Sequence, residues 1–276
     1  MERAPRQVPL KINAVIVTAD DLGISPGVSQ GILEAHRDGV VRSTSLLVTF
    51  PGAEEAAALA RAERELEVGL HLDLVGGRPV SDPAKIRSLV DADGAFYPLG
   101  EFGMRLLSGR VRLAEIATEV QAQAGRAREW GIEPLAWDSH RHTHLMPPAS
   151  RVIAAIARQE GVRYLRRARP PRLAATAKAQ LLGAATLVAG ILQLGIPGND
   201  WFVDLTALRP RPEPAAVALY AAYRGLGEIV AHPGRPDDAL RATGDTLILR
   251  RFDDLAILTD PLLKSALGDT IRWRVP

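Results

Sequence analysis

Cysteine is absent from this chain. That excludes disulfides, thiolate metal sites and cysteine nucleophiles at once, so any metal must sit on histidine and carboxylate ligands. Aromatic residues make up only 5% of the 276 residues, and no stretch interleaves them with basic side chains as single-strand nucleic-acid binders do. The net charge of +2 and the pI of about 9.1 reflect a small excess of arginine, which is slight ground for a nucleic-acid partner, and none is expected. The first eleven residues, MERAPRQVPLK, carry charges but no apolar run. No secretory signal is therefore expected there, and the cytoplasm is the default location. A glycine-rich phosphate loop is also missing: Gly76-Gly77 is followed by Arg78-Pro79, which matches neither nucleotide fingerprint.

What is present is an alternation of short apolar runs and longer Ala/Leu/Arg-rich stretches. AVIVTA (14–19), STSLLVTF (43–50), VGLHLDLV (68–75), VRYLR (162–166) and EIVAHPG (228–234) read as strands, and PLAWDSHRHTH (134–144) as a strand running into a loop. Between them, SPGVSQGILEAHRDG (25–39), AEEAAALARAERE (53–65), RLAEIATEVQAQAGRAREWG (112–131), SRVIAAIARQEG (150–161) and EPAAVALYAAYRGLG (213–227) read as helices. Ser25 can cap the first of these, Pro26 suits its first turn and Gly39 can end it. Strands alternating with helices imply a parallel sheet, and 276 residues suit one α/β domain. Polar residues favour a barrel over an open sheet, because Asp20/Asp21, His71, His140 and His232 each fall near the C-terminal end of a different strand, where barrel active sites are built.

The chemistry concentrates at those strand ends. Asp20 and Asp21 are adjacent carboxylates behind a buried strand, an arrangement that is costly unless a cation offsets the charge; a helix N-cap is the simpler use of either one. His71 shares a strand face with Gly69 and Asp73, opposite Val68, Leu70, Leu72 and Leu74. Asp138, His140, His142 and His144 are spaced two apart, so an extended chain would point all four the same way. Three histidines so bunched point to a divalent metal, although spacing does not say which of them bind. One Asp and two His give the three protein ligands of a hydrolytic site, and a second Asp can act as the non-ligand base. His232, ahead of Pro233-Gly234, can protonate a leaving amine, stabilise an oxyanion, or simply hold a turn. Arg166, Asp200 and Trp201 lie near strand ends or loops and, with His142 and His144, are candidates to line a substrate pocket.

At these residues the chain resembles the YdjC-like carbohydrate deacetylases. The resemblance rests on VTADDLGISPGVSQGILEAHRDGVVRSTSLLV, VGLHLDLVGGRP, LVDADGAF, DSHRHTHLMPP and IVAHPG, which together reach to about residue 235. It implies a distorted TIM-like (β/α) barrel that removes acetyl groups from N-acetylated sugars. It further implies Asp20 as general base, and Asp21, His71 and His140 as ligands of one divalent ion, zinc or magnesium. Leu22 stands where the family often has Phe, an apolar exchange. Within the family, TADDLGISPGV, LVGGRP and an apolar stretch after the Arg-rich strand resemble the hopanoid-biosynthesis-associated branch, HpnK. That likeness implies a lipid-linked substrate, an N-acetylglucosaminyl hopanoid converted to its glucosaminyl form.

The stretch itself, AQLLGAATLVAGILQLGI (179–196), is free of charge and follows Arg163, Arg166, Arg167, Arg169 and Arg172. It falls short of a spanning helix, since Gln180, Thr186, Gln193 and three glycines interrupt it. Residues 168–200 are expected to be an apolar helical insertion in a single domain. Residues 173–196 would contact a membrane surface peripherally at the inner membrane, with the arginines on anionic head groups, or else pack as a core helix or a homodimer interface. Two rival functions remain open from the residues: a metal-dependent phosphoesterase or other sugar hydrolase on the same barrel, and a non-catalytic lipid-binding protein.

Overall fold

Each apolar run becomes a strand whose neighbours are parallel. The computed structural model describes residues 13–169, 195–208, 210–268 and 271. In chain order the main elements are β1 (Ala14–Leu22), α1 (Pro26–Arg37), β2 (Ser43–Leu46), α2 (Ala53–Arg61), β3 (Glu67–Leu72), α3 (Leu99–Leu107), α4 (Leu113–Glu129), β4 (Ala136–Ser139), α5 (Ala149–Gln159), β5 (Tyr164–Leu165), β6 (Trp201–Asp204), α6 (Pro214–Ala218), β7 (Leu226–Ala231), α7 (Asp238–Ala242), α8 (Ile248–Leu258) and α9 (Pro261–Leu267). The sheet order is β5-β4-β3-β2-β1-β7-β6. Read cyclically, that order follows the chain, and among the described strands the ladder is open between β5 and β6. The fold is a distorted TIM-like barrel with one seam, as expected.

The seam is tied by backbone and by one buried amide. Leu165 N–H donates to the Pro197 carbonyl at 2.9 Å and Phe202 N–H to that of Arg169 at 2.7 Å. Asn199, fully buried, accepts from Arg167 N–H at 2.7 Å and donates to the carbonyls of Arg167 and Trp201. Residues 170–194, which include most of the expected insertion and of the 173–196 segment, lie outside the described residues. Among the described residues, no helix is long and apolar enough to cross a membrane.

β1 is buried at all nine positions, Thr18, Asp20 and Asp21 included, as befits a central strand of a parallel sheet. Ser25 caps α1 as expected, accepting from Val28 N–H at 3.2 Å, so the N-cap role proposed as the simpler use of Asp20 or Asp21 falls to another residue. α1 packs closely on the turn after β7: a Cβ on Gly31 would come within 2.6 Å of the Gly234 backbone. Inside the curl, the side chains are polar. Thr18 and Tyr164 hydroxyls both donate to Glu228, at 2.9 and 2.8 Å. On α4, Glu115, Glu119 and Gln123 recur every four residues and are buried. Their side chains accept from the backbone N–H groups of Ser88, Val80, Ser81 and Asp73, fixing the long connection that leaves β3.

Candidate metal centre and catalytic site

The centre forms where β1 breaks its register. Pairing between β1 and β2 shifts between Ala19 and Leu22, and Asp21 takes φ 72°, a left-handed conformation that is rare for a residue with a side chain. Strain of this kind gathers at functional sites. It brings both adjacent carboxylates to the surroundings of His71, and both are buried. His71 Nδ1 lies 2.6 Å from Asp138 Oδ1 and 3.1 Å from Ser45 Oγ. A proton on Nδ1, donated to Asp138, leaves the Nε2 lone pair directed at the cluster, 3.4 Å from Asp21 Oδ1. His140 Nδ1 stands 3.1 Å from that same oxygen.

The donor atoms of Asp21, His71 and His140 all lie within 4.8 Å of one another, close enough to share one ion. The set of one carboxylate and two imidazoles, with a carboxylate behind the first histidine, fits a divalent metal with positions left for water and substrate. A second grouping, Asp20, His71 and Asp138, meets the same spacing. It fits poorly, because the Arg166 guanidinium already occupies it: Nη1 and Nη2 hold the two Asp20 oxygens at 2.6 and 2.8 Å, and Nη2 is 2.5 Å from Asp138 Oδ2.

Charge decides the protonation of the pair. Burial alone would raise the Asp20 carboxyl; Arg166 beside it, helped by His71 and His232, outweighs burial and holds it well below the usual carboxylate range. Burial likewise opposes ionisation of Asp21, and Arg251 with His140 and His71 brings it well below that range. Arg166 serves three acids, since its Nε also donates to Glu228 at 3.0 Å. Burial pushes Glu228 up despite that contact.

His232 follows β7, whose Ala231 is in register with Ala19, so it faces Asp20 across adjacent strand ends. Its Nδ1 is 2.7 Å from Thr206 Oγ, and the Thr206 hydroxyl donates to Asp254, which also accepts the His232 backbone N–H at 2.8 Å. This relay fixes the ring with Nδ1 protonated and Nε2 as the free nitrogen.

The other expected pocket residues separate. The His140–Leu145 segment is not extended: Arg141 and His142 are left-handed, at φ 55° and 57°, so the two-residue alternation fails and the three histidines diverge. His142 meets the Phe202 ring edge-on, with centroids 5.6 Å apart. His144 is fully buried, with Nδ1 at 2.6 Å from Ser139 Oγ and Nε2 at 3.0 Å from the Arg166 carbonyl. It supports the segment and is not open to substrate. Arg166 is also fully buried, held behind Asp20 by carboxylates rather than exposed to a sugar. Asp200 and Trp201 are at the N-terminal end of β6, the far end of the sheet from the metal cluster. Sequence reasoning missed Ser45, Arg251, Thr206, Glu228 and Asp254. A Ser/Thr-rich strand and a charged residue inside the apolar EIVA run were the signals available for Ser45 and Glu228.

A parallel (β/α) barrel with an Asp/His/His cluster at the C-terminal strand ends has the architecture and donor set of barrel hydrolases. The model of the YdjC-like protein family matches residues 14–269, and the chain belongs to that family. It is 34% identical over 92% of both chains to a carbohydrate deacetylase of Geobacillus stearothermophilus. It is 31% identical to a chitooligosaccharide deacetylase of Klebsiella pneumoniae (strain 342), over 92% of this chain and 94% of that one. A solved structure from Enterococcus faecalis V583, described as a candidate cellobiose-phosphate cleavage protein, superposes with a TM-score of 0.78 at 27% identity, covering 93% of this chain and 94% of that one.

Proposed function

We propose that this protein is a metal-dependent N-deacetylase that hydrolyses the acetamide of an N-acetylglucosamine-type glycan. The observation that carries the reading is the Asp21–His71–His140 cluster set beside an arginine-clamped, anionic Asp20. The relatives named as carbohydrate and chitooligosaccharide deacetylases support the substrate class. Nitrogen-rich ligation favours zinc over magnesium, and Arg166 in the second grouping leaves room for one ion, which argues against a two-metal phosphoesterase.

A bound divalent ion would polarise the acetyl carbonyl and acidify water. Asp20, kept ionised by Arg166, takes the proton from the attacking water. His232, oriented through Thr206 and Asp254 with Nδ1–H retained, acts as the imidazolium and gives its Nε2 proton to the leaving amine, and acetate departs.

The finer substrate reading is a lipid-linked sugar, an N-acetylglucosaminyl hopanoid, with peripheral contact at the inner membrane through 173–196. It is supported by the uncharged run behind the arginines and by the HpnK-like segments. Acetate release from N-acetylglucosamine oligomers and from a lipid-linked N-acetylglucosamine tests both levels. Turnover of neither, by metal-loaded protein, overturns the deacetylase reading; equal turnover of both overturns the lipid preference.

A further inference from the structure

α8, near the C-terminal end of the family match, delivers a fully buried arginine to the cluster. Arg251 Nη2 is 2.7 Å from Asp21 Oδ2 and 2.5 Å from Asp245 Oδ2. Among the described residues its Nε and Nη1 are buried with no acceptor, and one nitrogen makes both contacts. The turn after β7 makes room for its stem: a Cβ on Gly234 would sit 3.3 Å from Arg251 Cδ, and Gly234 N–H donates to the Arg251 carbonyl at 3.2 Å. The atom of Asp21 that faces His71 and His140 is the other oxygen, Oδ1.

We propose that Arg251 is the positioning residue of the metal ligand Asp21. Holding Oδ2, it presents Oδ1 alone to the ion and so fixes one-oxygen coordination; Asp245 holds Arg251 in turn. This inference rests on the metal reading above. Without the guanidinium, Asp21 can rotate or offer both oxygens, and preorganisation of the ligand set is lost. Partners behind a metal ligand are typically worth about 10–100-fold in affinity.

The test is titration of metal-free protein with Co²⁺ against a competing chelator, reading affinity and the visible spectrum of the bound ion, with thermal unfolding of each metal-free variant. Arg251→Met is expected to bind about 10–100-fold more weakly with an altered spectrum. Arg251→Lys is expected to recover part of that loss, because a single ammonium can meet both carboxylates. Asp245→Asn, which leaves Arg251 less firmly held, is expected to weaken binding by about 10-fold. Wild-type affinity and spectrum in Arg251→Met overturn the proposal. If Arg251→Met does not unfold cooperatively, unchanged binding in Asp245→Asn overturns it instead. Recovery no better in Lys than in Met overturns the one-nitrogen account. Wild-type protein that binds no Co²⁺ sinks the metal reading and this inference with it, whereas tight wild-type binding alongside an unaffected Arg251→Met sinks this inference alone.

Discussion

Arg166 and Arg251 are both fully buried, and each neutralises one of two adjacent aspartates, yet they are used in opposite ways. Arg166 spends all three guanidinium nitrogens on Asp20, Asp138 and Glu228. Among the described residues Arg251 works through Nη2 and has no acceptor for its other two nitrogens. The first is a planar fork that fixes the orientation of Asp20; the second is close to a point charge that turns one oxygen of Asp21. The contrast explains how neighbours in one strand take different roles. Asp20 has both oxygens held by Arg166, whereas Asp21 has one oxygen held and turns the other, Oδ1, toward His71 and His140.

Removing the fork should give the largest effect. Arg166→Met leaves three buried carboxylates without their cation, and breaking such a pair typically costs about 3–5 kcal/mol. Urea unfolding should register that loss, together with collapse of deacetylation. Arg166→Lys should fail nearly as badly, because one ammonium cannot make the bidentate contact, while Arg251→Lys keeps part of its function. Equal tolerance of lysine at both sites would erase the distinction. Asp20→Asn separates base from ligand: turnover should fall by about 10²–10⁴-fold while the protein still binds one metal ion, measured by acetate release and by metal content.

Next in size is a pH effect from the segment that joins the two arginine-held regions. Burial pushes His144 down to about 4, from an ordinary value of 6.5, despite the nearby Asp138. Above pH 6.5 the ring is neutral in folded and unfolded chains alike and its contribution is constant. As the pH falls below 6.5 the unfolded chain takes up a proton that the folded chain refuses, so stability drops until the folded pKa near 4 is passed. The gap corresponds to about 3 kcal/mol lost across that window. His144→Gln should flatten the stability-versus-pH slope between pH 6.5 and 4 relative to wild type, in denaturant titrations at each pH. Parallel curves would show that the ring titrates normally.

Much of the site was legible in the sequence, and the failures have a common cause. The strand-end positions of Asp21, His71, His140 and His232 come from apolar periodicity, because a parallel barrel gathers the C-terminal ends of all its strands at one face. The alternation rule misled wherever the backbone left the extended region. It predicted His142 and His144 beside His140, but left-handed Arg141 and His142 turn the chain inward. Arg251 was out of reach for another reason: it is one charged residue among many on a C-terminal helix, and only the tertiary contact with Asp21, 230 residues away, marks it. Asp200 and Trp201 were read as site residues from their place near a strand, without knowledge of which end of that strand they occupy.

Their position yields the smallest and cleanest test of the two sheet ends. Asp200 Oδ2 accepts the Leu226 N–H at 2.9 Å and lies against Gly225, whose φ of 92° makes the turn into β7. Trp201 packs on Gly227, where any Cβ would overlap its ring. Both therefore hold the N-terminal entry of β6 and β7 together, a strand length from the metal cluster. Asp200→Ala should lose about 1 kcal/mol, the net worth of one part-buried hydrogen bond, with kcat and KM unchanged. A raised KM at unaltered stability would return Asp200 to the substrate pocket. An altered kcat would mean that strain at the β7 entry reaches His232 along the same strand that begins at Leu226.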